Sequence, residues 1–132
     1  MAFERLGHIN IKTSEFDATM HFYQTLFDLQ PGPAATMADQ DGNAWLHGPD
    51  GRAILHINRL DPGDARPVGA VTRLDHVAFD CDDQPGMQAR LDAAGIAYRV
   101  FATRVPGLVQ INLLDPNGIK LELTFGHALV QR

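Results

Sequence analysis

The stretch Leu6-Gly7-His8-Ile9-Asn10-Ile11 decides the fold, because a close copy of it returns as Leu74-Asp75-His76-Val77-Ala78-Phe79. The two copies are separated by about half of the 132-residue chain. Each is apolar enough to form a strand, and each carries one histidine at the same place. The second half of the chain therefore repeats the first.

Each copy is followed by a helical pattern and then by short alternating segments. Residues 16–27 repeat apolar side chains at helical spacing, and residues 82–94 do so until Gly95 ends the pattern. The segments after the helices predict three further strands in each half, at 34–38 (weak), 43–47, 54–59, 98–103, 108–113 and 119–125. Both halves read as βαβββ, which predicts an α+β fold built from two tandem modules.

Turn sequences support this alignment. Residues 48–51 (Gly-Pro-Asp-Gly) and 115–118 (Asp-Pro-Asn-Gly) stand between the third and fourth strands of their halves. Residues 61–69 are rich in turn formers, so we place the module boundary near Pro67. We expect one domain, 1–132, with modules 1–66 and 67–132, in which the uncovered sheet faces pair around a shared cleft.

Composition excludes several classes of function. The formal net charge is −5 and the basic residues are scattered, which argues against nucleic-acid and membrane partners. Cys81 is the single cysteine, so neither an internal disulfide nor a thiolate zinc site is available. The N-terminal segment lacks the pattern of a secretory signal, and we expect a cytoplasmic protein.

Strand parity places the polar groups on one face of each module. Successive strand residues point to opposite faces, so His8 and His76 point away from the helix-covered core. Glu122 has the same parity on the last strand, and His56 has it on the fourth strand of the first half. His56 lies five residues after the turn glycine Gly51, whereas Glu122 lies four residues after the turn glycine Gly118. An extra turn residue or a β-bulge in the first half would reconcile these two counts.

Imidazole and carboxylate groups on rigid strands suit divalent Fe, Mn, Ni or Zn. Two histidines with one carboxylate form an arrangement that leaves coordination positions open for a substrate. Four further residues have the parity or position to line the same cleft, namely Asn10, Trp45, Gln110 and Asn112.

The sequence resembles the vicinal oxygen chelate superfamily, which includes glyoxalase I, extradiol dioxygenases and the fosfomycin and bleomycin resistance proteins. The resemblance rests on residues 7–11, 22–29, 74–79 and 115–123, of which Asp-Pro-Asn-Gly-Ile-Lys-Leu-Glu-Leu is the most specific. It implies paired curved mixed sheets around a metal-binding cleft. It also puts His8, His76 and Glu122 at the metal positions of the family and His56 where glyoxalases place a fourth ligand.

By that resemblance the metal chelates adjacent oxygens of a small-molecule substrate and stabilises an oxyanion or enediolate. Glu122 and His56 would be the catalytic groups. A homodimer is implied, with the metal site either within one chain or across the dimer.

Several readings of the function stay open. An extradiol dioxygenase would use Fe(II) on three ligands and leave His56 as an acid or base, whereas a lyase or isomerase of the glyoxalase type would use His56 as a ligand. A metal-free binding or antibiotic-sequestering protein of the bleomycin-resistance kind is the alternative from another class. No motif supports a purely regulatory domain.

Overall fold

The computed structural model describes residues 2–69 and 72–130. The chain divides into two compact units, Met1–Arg66 and Pro67–Arg132, which are described separately. The first unit contains β1 (Ile9–Thr13), α1 (Phe16–Phe27), β2 (Gln30–Gly32), β3 (Asn43–His47) and β4 (Ala53–Arg59). The second contains β5 (Val77–Cys81), α2 (Gln84–Ala93), β6 (Tyr98–Ala102), β7 (Val109–Leu114) and β8 (Lys120–Phe125), followed by a turn of 3₁₀ helix at His127–Leu129. The predicted βαβββ order and the α+β class are confirmed.

The two sheets have the same topology. The strand orders are β1-β4-β3-β2 and β5-β8-β7-β6. In each sheet the first strand runs parallel to the fourth, and the remaining neighbours are antiparallel. A parallel pair needs a crossover connection, which the helix and the intervening strands supply. None of the helices in the described part of the chain is long and apolar enough to cross a bilayer.

The core of the first unit lies between α1 and its sheet. The buried residues of α1 are Thr19, Phe22, Tyr23 and Leu26. This buried face is rotated relative to the apolar face that the sequence spacing predicts, which consists of residues 16, 20, 23 and 27. Tyr23 belongs to both faces and stacks on Phe27 with ring centroids 5.9 Å apart. The rotation arises because a short polar residue, Thr19, also fits against the sheet, where its hydroxyl lies 3.4 Å from that of Thr13.

The weak strand predicted at residues 34–38 is wrong. The second strand lies earlier, at Gln30–Gly32, and pairs with the end of β3. Residues 34–37 instead form a turn that the Gln40 side chain closes, since its amide accepts from the Ala34 N–H and donates to the Ala34 and Met37 carbonyls. Those backbone groups are satisfied locally and are not available for a ladder.

The predicted turns between the third and fourth strands are confirmed, and they are equivalent in the two units. Gly51 donates to the Gly48 carbonyl and Gly118 to the Asp115 carbonyl, each at 3.0 Å. Both glycines have a positive φ, 82° and 76° respectively. Their surroundings differ, because a Cβ at Gly118 would lie 2.6 Å from the Cα of Gly69, whereas a Cβ at Gly51 would meet nothing within 4 Å.

This difference makes a matched pair of substitutions informative. We expect Gly51→Ala to lower the free energy of unfolding by about 1–2 kcal/mol through the left-handed backbone alone. Gly118→Ala adds a clash with backbone and should lower it by about 3 kcal/mol. Urea denaturation of both variants measures the difference, and equal losses would show that the backbone at Gly69 moves aside freely.

Candidate metal centre

In the first unit, His8 and His56 lie on one face of the sheet. His8 directly precedes β1 and is exposed, whereas His56 lies within β4 and is only 7% exposed. Their ring centroids are 6.3 Å apart. The parallel register pairs Asn10 with His56, and the Asn10 amide donates to the His56 carbonyl at 2.9 Å. Asn10 therefore connects β1, which follows His8 directly, to β4, which contains His56.

The surroundings of His56 favour its neutral state. Burial lowers the pKa of its imidazole, and the nearby positive charges of His8 and Lys12 lower it further. The Nε2 atom of His56 lies 3.2 Å from Oδ1 of Asn43. A neutral imidazole at pH 7 is the form that can bind a metal or accept a proton.

In the second unit, His76 and Glu122 form the corresponding pair. Nε2 of His76 lies 3.5 Å from Oε2 of Glu122. Nδ1 of the same ring lies 2.8 Å from Oδ2 of Asp75, and the Lys120 ammonium lies 3.3 Å from that oxygen. The hydrogen bond from His76, followed by the contacts with Lys120, lowers the pKa of Asp75, so its carboxylate accepts from His76 at neutral pH.

Strand register makes His56 and Glu122 equivalent positions. Asn10 on β1 is paired with His56, and Ala78 on β5 is paired with Glu122. Asn10 lies two residues after His8, and Ala78 lies two residues after His76. The extra residue between turn and ligand strand in the first unit is taken up by a register shift at Leu46/His47, where β4 inserts one residue. Of the two explanations that the turn counts left open, an extra turn residue or a β-bulge, the structure has the bulge.

The predicted substrate-lining residues lie beside these pairs. Trp45 is paired with His56, and Asn112 with Glu122. Both side chains are half-buried, and each has one buried polar atom without a hydrogen-bond partner, Nε1 of Trp45 and Oδ1 of Asn112. Gln110 follows on the same face, paired with Thr124. A hydrogen-bond donor without a partner therefore lies next to His56, and an acceptor without a partner lies next to Glu122.

The spacing of His76 and Glu122 fits a metal ion. Zinc bonds to imidazole nitrogen and carboxylate oxygen are about 2.0–2.2 Å long. Donor atoms 3.5 Å apart then subtend an angle of about 110° at the ion, the value for tetrahedral coordination. Within residues 2–69 and 72–130, no three histidine, cysteine, aspartate or glutamate side chains form a complete ligand group, and the predicted ligands occur as one pair per unit.

Two residues that touch the predicted ligands were not anticipated. Asn43 shares its parity on β3 with Trp45 and His47, and this parity was the signal that could have found it. Asp75 is adjacent to His76 but stands just before β5, where strand parity does not apply.

An open depression of about 310 Å³ lies elsewhere in the first unit. It is lined by residues 14–18, at the start of α1, and by Arg59 on β4. None of the predicted site residues lines it.

Cys81 is a shielded thiol. It is half-buried at the end of β5, and its thiol lies 3.7 Å from the Phe79 carbonyl. Burial raises its pKa to about 11, with the charges of Asp80 and Asp82 adding to the shift. We expect iodoacetamide to alkylate Cys81 about 100-fold more slowly at pH 8 than an ordinary thiol, with the rate rising about tenfold per pH unit.

Mass spectrometry of the native protein between pH 7 and pH 10 measures that rate. The chain unfolded in guanidinium is the control, since there the thiol regains its usual reactivity. A native rate that levels off near pH 9 would show that the thiol is not shielded.

Comparison with known proteins gives the class to which this architecture belongs. A sequence profile of the Glyoxalase/Bleomycin resistance protein/Dioxygenase superfamily matches residues 5–123. The chain belongs to this superfamily.

The chain is also similar to individual members of the superfamily. It is 28% identical over 122 residues to a protein named Glyoxylase I 4 from Arabidopsis thaliana, covering 89% of this chain and 68% of the relative. A glyoxalase/dioxygenase from Nostoc punctiforme shares the fold with a TM-score of 0.69 at 23% identity, over 91% of this chain and 89% of that one.

The fosfomycin resistance protein FosX from Listeria monocytogenes also has a TM-score of 0.69, at 19% identity, over 98% of this chain and 99% of that one. A variant of FosX was solved in complex with Mn(II) and 1S,2S-dihydroxypropylphosphonic acid; it has a TM-score of 0.69 at 18% identity, over 92% and 89% of the two chains.

Proposed function

We propose that this protein is a divalent-metal-dependent enzyme that acts on a small molecule with adjacent oxygens. Its metal ligands are His8, His56, His76 and Glu122, and the metal is Fe, Mn, Ni or Zn. The observation that carries the proposal is the His76–Glu122 pair, whose donor atoms are 3.5 Å apart. The repeat supplies a second pair, His8 and His56, at the equivalent place in the first unit.

A bound divalent ion supplies Lewis-acid stabilisation of negative charge on substrate oxygens. The protein's own residues would bind and orient the substrate beside it. Nε1 of Trp45 can donate a hydrogen bond to a substrate oxygen, and Oδ1 of Asn112 can accept one from a hydroxyl, since neither atom has a partner. Asn10 and Gln110 extend the polar lining along the two sheet faces.

His56 separates the two reaction types that the family offers. As a fourth ligand it favours a lyase or isomerase of the glyoxalase type, to which the similarity to Glyoxylase I 4 also points. As an acid or base beside three ligands, it favours ring-cleaving oxygenase chemistry. The lowering of its pKa by burial supports either role, because both need the neutral imidazole.

We also propose a homodimer. If each metal centre draws one ligand pair from each of two chains, mixing His8→Ala/His56→Ala protein with His76→Ala/Glu122→Gln protein will restore one of the two sites in each heterodimer, which is about a quarter of all sites in a statistical 1:1 mixture. If both pairs come from one chain, the mixture will regain none. Equilibrium titration of the mixture distinguishes the two arrangements.

The direct test is metal analysis of protein purified without chelators. We expect about one divalent ion per chain, removable by EDTA and restored by adding Mn(II), Fe(II), Ni(II) or Zn(II), with a matching rise in melting temperature. A protein that holds none and binds none of the four would instead be a metal-free binding protein.

A further inference from the structure

The Asn43 side chain has a defined orientation. Its Nδ2 atom donates to the Asp39 carbonyl at 3.0 Å and approaches the Asp41 carbonyl at 3.5 Å. Both partners are acceptors, so the amide nitrogen must face them and the oxygen must face the other way. The oxygen is the atom 3.2 Å from Nε2 of His56.

An amide oxygen can only accept a hydrogen bond, which determines the proton position on the ring of His56. Nε2 must carry the hydrogen, and in the neutral imidazole Nδ1 then carries the lone pair. We propose that Asn43 is a positioning residue that fixes His56 in the Nε2–H tautomer and leaves Nδ1 as its metal-binding or proton-accepting atom. The metal-binding part of this inference rests on the proposed function, whereas the tautomer does not.

The second unit provides an internal contrast. Nδ1 of His76 donates to the Asp75 carboxylate at 2.8 Å, so the lone pair of that ring lies on Nε2, which faces Glu122. The two histidines are therefore held in opposite tautomers by neighbours of different kinds. Partners that fix ring orientation in this way typically change metal affinity by about 10- to 100-fold.

Long-range ¹H–¹⁵N NMR of the protein labelled with ¹⁵N-histidine tests the tautomer directly. The spectrum is recorded without metal at about pH 8.5, where histidine side chains are neutral. His56→Gln and His76→Gln variants assign the two rings. We expect a protonated Nε2 and unprotonated Nδ1 for His56, and the reverse for His76. A protonated Nδ1 on His56 would overturn the inference.

Two variants distinguish the effect of the Asn43–His56 hydrogen bond on the tautomer from the effect of the loop that Asn43 also stabilises. Asn43→Ala should move both nitrogen shifts of His56 toward the average of the two tautomers and leave His76 unchanged. Gln40→Ala opens the 34–40 turn without touching His56, so it should keep the wild-type pattern. An unchanged His56 pattern in Asn43→Ala would show that Asn43 does not select the tautomer.

Titration with diamagnetic Zn(II) then tests the coordinating atom. We expect the His56 Nδ1 resonance to shift while Nε2 keeps its proton, and Asn43→Ala to bind zinc about tenfold more weakly. Coordination through Nε2 would overturn the inference while leaving the metal centre intact. If no histidine responds to zinc, the metal proposal fails, but the metal-free tautomer result still stands.

Discussion

His76→Ala or Glu122→Gln should weaken divalent-metal binding by at least about 1000-fold, since loss of a residue that merely orients a ligand already costs about 10- to 100-fold. Both side chains are partly shielded from water, with 38% of His76 and 20% of Glu122 exposed. Glu122→Gln keeps the shape of the side chain but removes its charge, so it tests the carboxylate itself. Competition with a chromophoric chelator measures the affinity of each variant.

His21 provides the matched control. It is an exposed histidine on α1, whose buried residues lie on the other side of the helix. His21→Ala should leave the affinity unchanged, and all three variants should keep the far-UV circular dichroism of the parent. If His76→Ala bound metal within about threefold of the parent, the ion would have to lie elsewhere.

Local patterns were sufficient to predict the repeat, the strand faces and the turns. Gly51 and Gly118 predicted the turn positions because a positive φ is a local demand that few other residues meet. The strand faces predicted for His56 and Glu122 agree with the strand register of the structure. A shift of one residue would have turned a buried apolar face to water. The conflicting turn counts indicated an irregularity in the first unit, either an extra turn residue or a β-bulge, and the structure has the bulge.

The errors at the strand starts arose where distant contacts decide the structure. The strands β1 and β5 begin at Ile9 and Val77, directly after the two histidines, and not at Leu6 and Leu74 as predicted. The reason is that the pairing of β1 with β4 starts only at Ile9 and that of β5 with β8 only at Val77. Both leucines are instead 74% exposed. The misplaced second strand has a different, local cause, since the side chain of Gln40 satisfies the backbone of the turn at residues 34–37 that replaces it.

The candidate site was predicted unevenly for a related reason. A repeat reveals what the two halves share, which is how the histidine strands were found. Asn43 and Asp75 have different partners and different places in their units, so no repeat could point to them. They belong to the part of the site in which the halves have diverged, and they hold their histidines in different ways.

The equivalence of His56 and Glu122 leads to a second large effect. His56→Glu would give both units the same ligand type at this position. His56 is buried, and the atom facing its Nε2 is the oxygen of Asn43, which would repel a carboxylate. Without metal we expect the substitution to lower the free energy of unfolding by about 3 kcal/mol, because a buried charge is left without a partner.

The same substitution should behave differently when metal is added. A carboxylate cancels the charge of a divalent ion better than imidazole does, so Mn(II) should raise the melting temperature of His56→Glu by more than it raises that of the parent. His56→Gln is the neutral control, which should be less destabilised without metal and gain less from it. Calorimetric scans with and without Mn(II) give both quantities. An equal gain for Glu and Gln at position 56 would mean that this residue lies outside the coordination sphere, and His56 would then act as the acid or base of a three-ligand centre.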